Sequence, residues 1–223
     1  YPGRLKGGVE VSHIHFRYSE EAPWVLNDLT VKIEPGEFVA FVGSSGSGKS
    51  TLMRMLLGFE TPERGALFLD GQDLATLDLR EVRQQIGVVL QDSKLLPVDI
   101  FRNIVGVATD LGVEDAWEAA RLAGLEEDVR ALPMGMHTYV SEGGGGFSGG
   151  QQQKLLIARA LVRRPRILIF DEATSALDNR SQATVMESVE KLQATRIVIA
   201  HRLSTIINAD RICYLDVGKI VEM

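Results

Sequence analysis

One cysteine, Cys213, rules out any internal disulfide, so burial has to hold the chain together, and a reducing compartment suits it. Cys213 lies in the apolar run Ile212 to Leu215 and reads as a small core residue. No apolar stretch reaches the roughly 20 residues of a membrane helix, and no signal peptide opens the sequence. Basic excess is missing too: 24 Lys+Arg stand against 30 Asp+Glu, a net charge of -6. That balance argues against a nucleic-acid partner, whose protein usually shows a basic footprint, but leaves room for a local anion pocket. Repeats and low-complexity tracts are absent. What is present is ordinary for a globular domain: 223 residues, 45% apolar and 24% charged. A chain of this length buries roughly 70% of its unfolded surface and needs no staples. Both ends, Tyr1-Pro2-Gly3 and Gly218 to Met223, read as cut points in a longer protein.

The chain begins as strands. Val9, Val11 and Ile14 to Tyr18 form a β-rich run, and Leu29, Val31 and Ile33 alternate with polar residues, the period of a half-buried strand. After the turn Pro35-Gly36-Glu37, Phe38 to Val42 is continuously apolar, as in a strand covered on both faces. A helix follows with Leu52, Met55, Leu56 and Phe59 on one side, broken by Thr61-Pro62-Glu63-Arg64-Gly65. Ala66 to Leu69 and Ile86 to Leu90 read as strands. Asp99 to Leu132 turns helical, with Trp117 and Leu122 as anchors, up to the glycine run Gly143 to Gly146. Then come a helix over Gly149 to Val162, a buried strand Ile167 to Phe170, a helix Ser181 to Leu192, and strands Ile197 to Ala200 and Ile212 to Leu215. Alternating strands and helices predict an α/β fold with a parallel sheet covered on both faces. The early alternating strands add an antiparallel piece, and the block from Asp99 to Gly146 looks inserted.

Two segments carry chemistry. Gly43-Ser44-Ser45-Gly46-Ser47-Gly48-Lys49-Ser50 fits G-x-x-x-x-G-K-[ST], with a buried strand before it and a helix after it. The glycines let backbone N–H groups close around phosphate, and the helix start adds positive potential. Lys49 would reach the β- and γ-phosphates and Ser50 would bind Mg²⁺; Thr51 completes the nucleotide-contacting stretch. The bland alternative is a flexible linker. The strand Ile167 to Phe170 then ends in Asp171-Glu172. Asp171 fits a Mg²⁺ ligand, since this hard ion needs few protein oxygens. Glu172 fits a general base or positioning group for the attacking water. A strand that simply exits into solvent would look the same on its own.

Phe147-Ser148-Gly149-Gly150-Gln151 resembles the LSGGQ signature of ABC ATPases, with Phe for Leu. The resemblance runs over nearly the whole chain. Gln91 resembles the Q-loop glutamine, a Mg²⁺ and water contact. Ser175-Ala176-Leu177-Asp178 resembles the D-loop, and His201 the switch histidine that meets the γ-phosphate. Tyr18 resembles the aromatic residue that stacks on adenine, although a strand tyrosine usually packs. The resemblance implies ATP and Mg²⁺ as ligands and a P-loop NTPase (RecA-like) core with an antiparallel β subdomain and an inserted α-helical subdomain. Residues 1–223 would be a single ATPase domain, with core and β subdomain at about 1–98 and 155–223 and the helical part at about 99–154. Lys49, Gln91, Glu172 and His201 would be the catalytic set. Ser148, Gly149, Gly150, Gln151 and Asp178 would face ATP held by a second nucleotide-binding domain, in a head-to-tail homodimer attached to the transmembrane domains of the same transporter. That places a soluble fragment on the cytoplasmic side of the cell (inner) membrane.

Tyr139-Val140-Ser141-Glu142-Gly143-Gly144 is similar to the exporter stretch before the signature, with Ser141 for glycine, and His201 to Thr205 is exporter-like as well. Leu177 to Gln182 resembles bacterial peptide (bacteriocin-type) exporters, which implies a peptide cargo. Two other readings stand beside this one. A soluble ABC protein of DNA repair, chromosome structure or translation is one; only about a hundred residues separate Gly48 from Ser148, too few for the long coiled coil of the repair and chromosome-structure types, whereas the translation type carries two such domains. The other is a module that has lost catalysis. His13 and His15 share a strand without an evident third metal ligand. His137 receives no role, Glu126-Glu127-Asp128 reads as a solvated helix face, and Trp24 reads as packing.

Overall fold

The computed structural model describes residues 1–108, 110–172 and 174–223, leaving aside the side chain of Leu203. Thr109, inside the predicted helical block, and the Leu203 side chain of the exporter-like stretch therefore lie outside the described residues. In chain order the strands are β1 (Val9–Phe16), β2 (Leu26–Ile33), β3 (Phe38–Val42), β4 (Arg64–Leu69), β5 (Gln72–Asp73), β6 (Ile86–Val89), β7 (Ile167–Asp171), β8 (Thr195–Ile199), β9 (Arg211–Asp216) and β10 (Lys219–Glu222). The helices are α1 (Lys49–Leu56), α2 (Leu79–Arg83), α3 (Ile100–Val105), α4 (Val113–Leu122), α5 (Glu126–Arg130), α6 (Gly149–Leu161), α7 (Asn179–Lys191) and α8 (Leu203–Ile206). They fall into two compact units that the chain enters more than once. The first comprises residues 1–86, 166–170 and 194–223, and the second comprises 87–165 and 171–193.

The first unit holds the expected antiparallel piece, with strand order β2-β1-β4-β5. Val9, Val11 and Ile14 of β1 and Leu29, Val31 and Ile33 of β2 are buried, so the alternation seen in the sequence is the core face. In the larger sheet β10, β9, β3, β8 and β7 follow one another in that order. β3 pairs in parallel with both β8 and β9, while β10 pairs antiparallel to β9. Phe38, Val39, Ala40 and Phe41 of β3 are all fully buried, as a strand covered on both faces requires. Cys213 on β9 is buried as well, and burial pushes its thiol pKa up.

Phe59 departs from its predicted place. It is 54% exposed rather than part of the buried helix face. The helix α1 stops earlier, because Gly58 adopts a left-handed φ of 69°. Gly58 N–H donates to the Met55 carbonyl and Phe59 N–H to that of Arg54, both at 2.9 Å, a Schellman termination. Phe59 then lies under the Arg83 guanidinium, 4.5 Å from its ring centre. The two strand histidines do not converge. His13 Nδ1 faces Asp28 Oδ1 at 2.7 Å, whereas His15 Nδ1 faces the His13 carbonyl.

The second unit is mainly helical. α6 packs against α3 and α4, and α4 also meets α7. Ala116, Ala119 and Ala120 of α4 and Leu155, Ile157, Ala158 and Leu161 of α6 are buried, and the small residues permit close approach. Leu122 is buried as expected. Trp117 is only half-buried and carries the Arg130 guanidinium 4.7 Å from its ring. Asn103 sits at the unit's polar centre with no exposure at all. Its Nδ2 donates to the Leu96 carbonyl at 2.9 Å, and its Oδ1 accepts from Leu96 N–H and Arg159 Nη2, both at 2.8 Å. Arg159 also donates Nε–H to the Asn103 carbonyl at 2.7 Å, and burial lowers its pKa. An Asn103→Leu substitution leaves these backbone groups buried and unmatched. It should cost about 2–4 kcal/mol in urea unfolding, and a loss below about 1 kcal/mol would count against this account of the hub.

Candidate functional site

The site residues divide between the units, with Tyr18, Gly43 to Thr51 and His201 in the first and Gln91, Ser148 to Gln151, Asp171, Glu172 and Asp178 in the second. In the first unit, β3 delivers the chain into the glycine loop and α1 carries it away. Gly43 has φ 153° and Gly48 has φ 105°. A Cβ on Gly43 would stand 2.2 Å from the Leu215 carbonyl oxygen, and one on Gly48 would stand 2.7 Å from Leu26 Cδ2. No other residue fits either place, so the loop's curvature is built on these glycines.

The Lys49 side chain is 6% exposed and folds back over the loop. Its Nζ donates to the carbonyls of Gly43 at 2.7 Å and Ser44 at 2.8 Å, and to Ser47 Oγ at 3.1 Å. A cation is thus held at the centre of the loop, while Ser44, Ser45, Gly46 and Ser50 stay exposed. A tight glycine turn, a central ammonium and a helix start together fit a polyphosphate. The Tyr18 ring is 61% exposed, just past β1. Its hydroxyl lies 3.0 Å from Thr51 Oγ1, and the Phe16 ring holds it edge-on at 4.9 Å. An exposed aromatic face anchored to the first turn of α1 offers a stacking surface beside the phosphate loop. His201 is exposed, two residues beyond the end of β8.

In the second unit Ser148 caps α6. Its Oγ accepts from Gln151 N–H at 3.1 Å, and Gln151 Oε1 accepts from Ser148 N–H at 3.0 Å, a reciprocal capping box. The exposed turn at Ser148 and Gly149 therefore opens a 13-residue helix, with amide groups suited to an anion. Asp171 ends β7 half-buried. Glu172 follows with a left-handed φ of 51°, unusual for a residue with a side chain and a feature that clusters at working sites. Asp178 is exposed and caps α7. The Ser181 backbone N–H, at 2.7 Å, holds its carboxyl below the usual carboxylate range. Gln91 is exposed, past the end of β6.

Two features were not read from the sequence. Asp128 is half-buried rather than solvated; its Oδ1 accepts from Gln151 Nε2 at 3.2 Å and its Oδ2 faces Lys154 Nζ at 3.5 Å. Gln153 reaches the segment after Glu172, accepting from Ala176 N–H at 2.9 Å. The run Gln151 to Gln153 was its only trace in the sequence, since its contact lies in a different stretch of chain.

Comparison with known proteins gives concordant results. Residues 26–175 match the ABC transporter family. The chain is 48% identical over 229 residues to the toxin RTX-III translocation ATP-binding protein of Actinobacillus pleuropneumoniae, covering all of this chain and 32% of that protein. The same figures hold for the leukotoxin translocation ATP-binding protein LktB of Mannheimia haemolytica. Among solved structures, a bacterial Atm1-family ABC exporter with ATP bound superposes with a TM-score of 0.92 at 38% identity, covering 100% of this chain and 39% of that one. The chain thus spans about a third of the length of the curated relatives it matches.

Proposed function

This chain belongs to the ABC transporter family, and from that premise we propose that it binds and hydrolyses ATP as the motor part of an exporter. The observation that carries the reading is the capped, exposed turn at Ser148 and Gly149 in the same chain as a complete phosphate loop. One surface is assigned to this chain's own nucleotide and the other to the nucleotide of a second copy. Two ATP molecules would then lie between two head-to-tail copies. We assign Gly43 to Thr51 to the phosphates, Tyr18 to the adenine, and Ser148, Gly149, Gly150, Gln151 and Asp178 to the partner's nucleotide. Glu172 takes the proton of the attacking water, His201 and Gln91 orient the γ-phosphate and that water, and Lys49 holds developing charge on the phosphoryl oxygens. Ser50, Gln91 and Asp171 are the residues for Mg²⁺, which when bound neutralises charge on the β- and γ-phosphates.

Attachment to transmembrane domains at the cytoplasmic face of the cell membrane follows the same reading. Among the described residues no helix is long and apolar enough to cross a membrane. The exporter-like stretch presents Tyr139, 62% exposed, on a short bridge to Asp99, and Asp99 closely follows the exposed Leu96 in the sequence. Such apolar exposure suits a docking partner. For function we keep the division into a helical part at about 99–154 and a core with β subdomain in the remainder. Two relatives are called toxin and leukotoxin translocation proteins, which favours a peptide or protein cargo.

Because each site takes residues from two copies, hydrolysis by the isolated chain should be second order in protein. Doubling a dilute sample should raise the total rate of phosphate release about fourfold. A specific activity that stays constant on hundredfold dilution would remove the shared-site reading.

A further inference from the structure

We infer that Gln153 is a positioning residue that locks Glu172, Ser175 and Ala176 onto the first turn of α6, so that one side chain sets both the group serving this chain's nucleotide and the turn serving the partner's. The inference rests on the hydrolytic reading above. Successive residues of a helix point about 100° apart, and the three glutamines of α6 accordingly face three ways. Gln151 closes the cap and reaches Asp128 on α5. Gln152 donates to the carbonyls of Phe147 at 3.0 Å and Gly144 at 3.2 Å, fixing the loop before the helix. Gln153 turns toward the loop after β7.

There its Oε1 accepts the Ala176 N–H at 2.9 Å, and its Nε2 lies 3.5 Å from both the Glu172 carbonyl and Ser175 Oγ. The short bond is the anchor, and the long contacts share one N–H₂ group between two oxygens. The Glu172 carbonyl also accepts Ser175 N–H at 3.2 Å, which ties Ser175 back to the left-handed Glu172. An independent feature points the same way. A Cβ on Gly150 would stand 3.3 Å from the Ala176 carbonyl oxygen and one on Gly149 would stand 3.9 Å from Ala176 Cβ. The segment is seated on the glycine turn itself, and Gln153 holds it there. A displacement at Ser148 to Gly150 is thereby passed to the backbone of Glu172 through a single amide.

The test uses the full-length transporter with Gln153→Leu, which removes donor and acceptor at similar volume, and Gln153→Glu, which keeps the acceptor for Ala176. In hydrogen exchange without nucleotide, the peptide containing Ala176 should exchange about tenfold faster in Gln153→Leu and near the parent rate in Gln153→Glu. In steady-state assays Gln153→Leu should lower kcat about tenfold with ATP binding within about twofold of the parent, and Gln153→Glu should fall between. Unchanged exchange at Ala176 in Gln153→Leu overturns the inference, and so does a kcat within about twofold of the parent. Absence of hydrolysis by the parent transporter would instead overturn the hydrolytic reading, and the exchange measurement would still decide whether Gln153 holds the segment.

Discussion

Glu172→Gln should bind ATP within about twofold of the parent while turning over roughly 10²–10⁴-fold more slowly, the usual contribution of a general base. The substitution keeps shape and removes basicity. The backbone at Glu172 is fixed by its carbonyl, which accepts Ser175 N–H at 3.2 Å, and by the left-handed φ of 51°. Neither depends on the carboxylate, so the variant should keep the parent fold. With binding intact and hydrolysis blocked, the two copies should stay together on ATP. Size-exclusion chromatography with ATP and Mg²⁺ should then show a dimer that the parent holds only transiently. Parent-like phosphate release by this variant would remove Glu172 from the role of base.

Lys49→Ala should act differently and lose both affinity and rate. The ammonium lies within 3.1 Å of three loop oxygens and is 6% exposed, so it is already placed and largely stripped of water. A preorganised donor of this kind contributes roughly 10²–10³ in kcat when removed from an oxyanion-type site. Its loss also leaves the loop carbonyls of Gly43 and Ser44 facing one another without the cation between them, which should raise the Kd for ATP. Lys49→Arg should not restore activity, because a planar guanidinium cannot replace a compact ammonium bonded in three directions. Equilibrium binding of a fluorescent ATP analogue together with phosphate release separates the two variants. Glu172→Gln should lose rate alone, and Lys49→Ala should lose both. Unaltered ATP affinity and turnover in Lys49→Ala would contradict the assignment.

Local chemistry explains what could be read in advance. The glycine loop was legible because its backbone demands glycine at fixed offsets, and Gly43 and Gly48 do take conformations and approaches that exclude a side chain. β3 was legible residue for residue, since a strand buried on both faces leaves no polar position. The helix expected from Gly149 does begin there, and Ser148 caps it. Phe59 was misplaced because apolar spacing was carried past Gly58, whose left-handed turn ends the helix one step earlier. Here the glycine signal should have outweighed the period. Asp128 and Gln153 were illegible for another reason. Their partners lie far along the chain, and one sequence does not say which polar side chains will meet. The left-handed backbone at Glu172 was hidden likewise, because nothing local to a glutamate calls for it.

The interleaving of the two units has a consequence for how the protein is made. β3, with its fully buried Phe38 to Phe41, pairs with β8 and β9, and those strands start only at Thr195 and Arg211. A ribosome adding about 5–20 residues per second releases β3 roughly 8–30 s before either neighbour exists. Throughout that interval the nascent chain carries an apolar strand with both edges open, while the helices α3 to α6 emerge with mutual partners already at hand. The second unit is therefore the part equipped to condense first during synthesis. The phosphate loop gains its Leu215 backing only after the whole of the second unit has emerged.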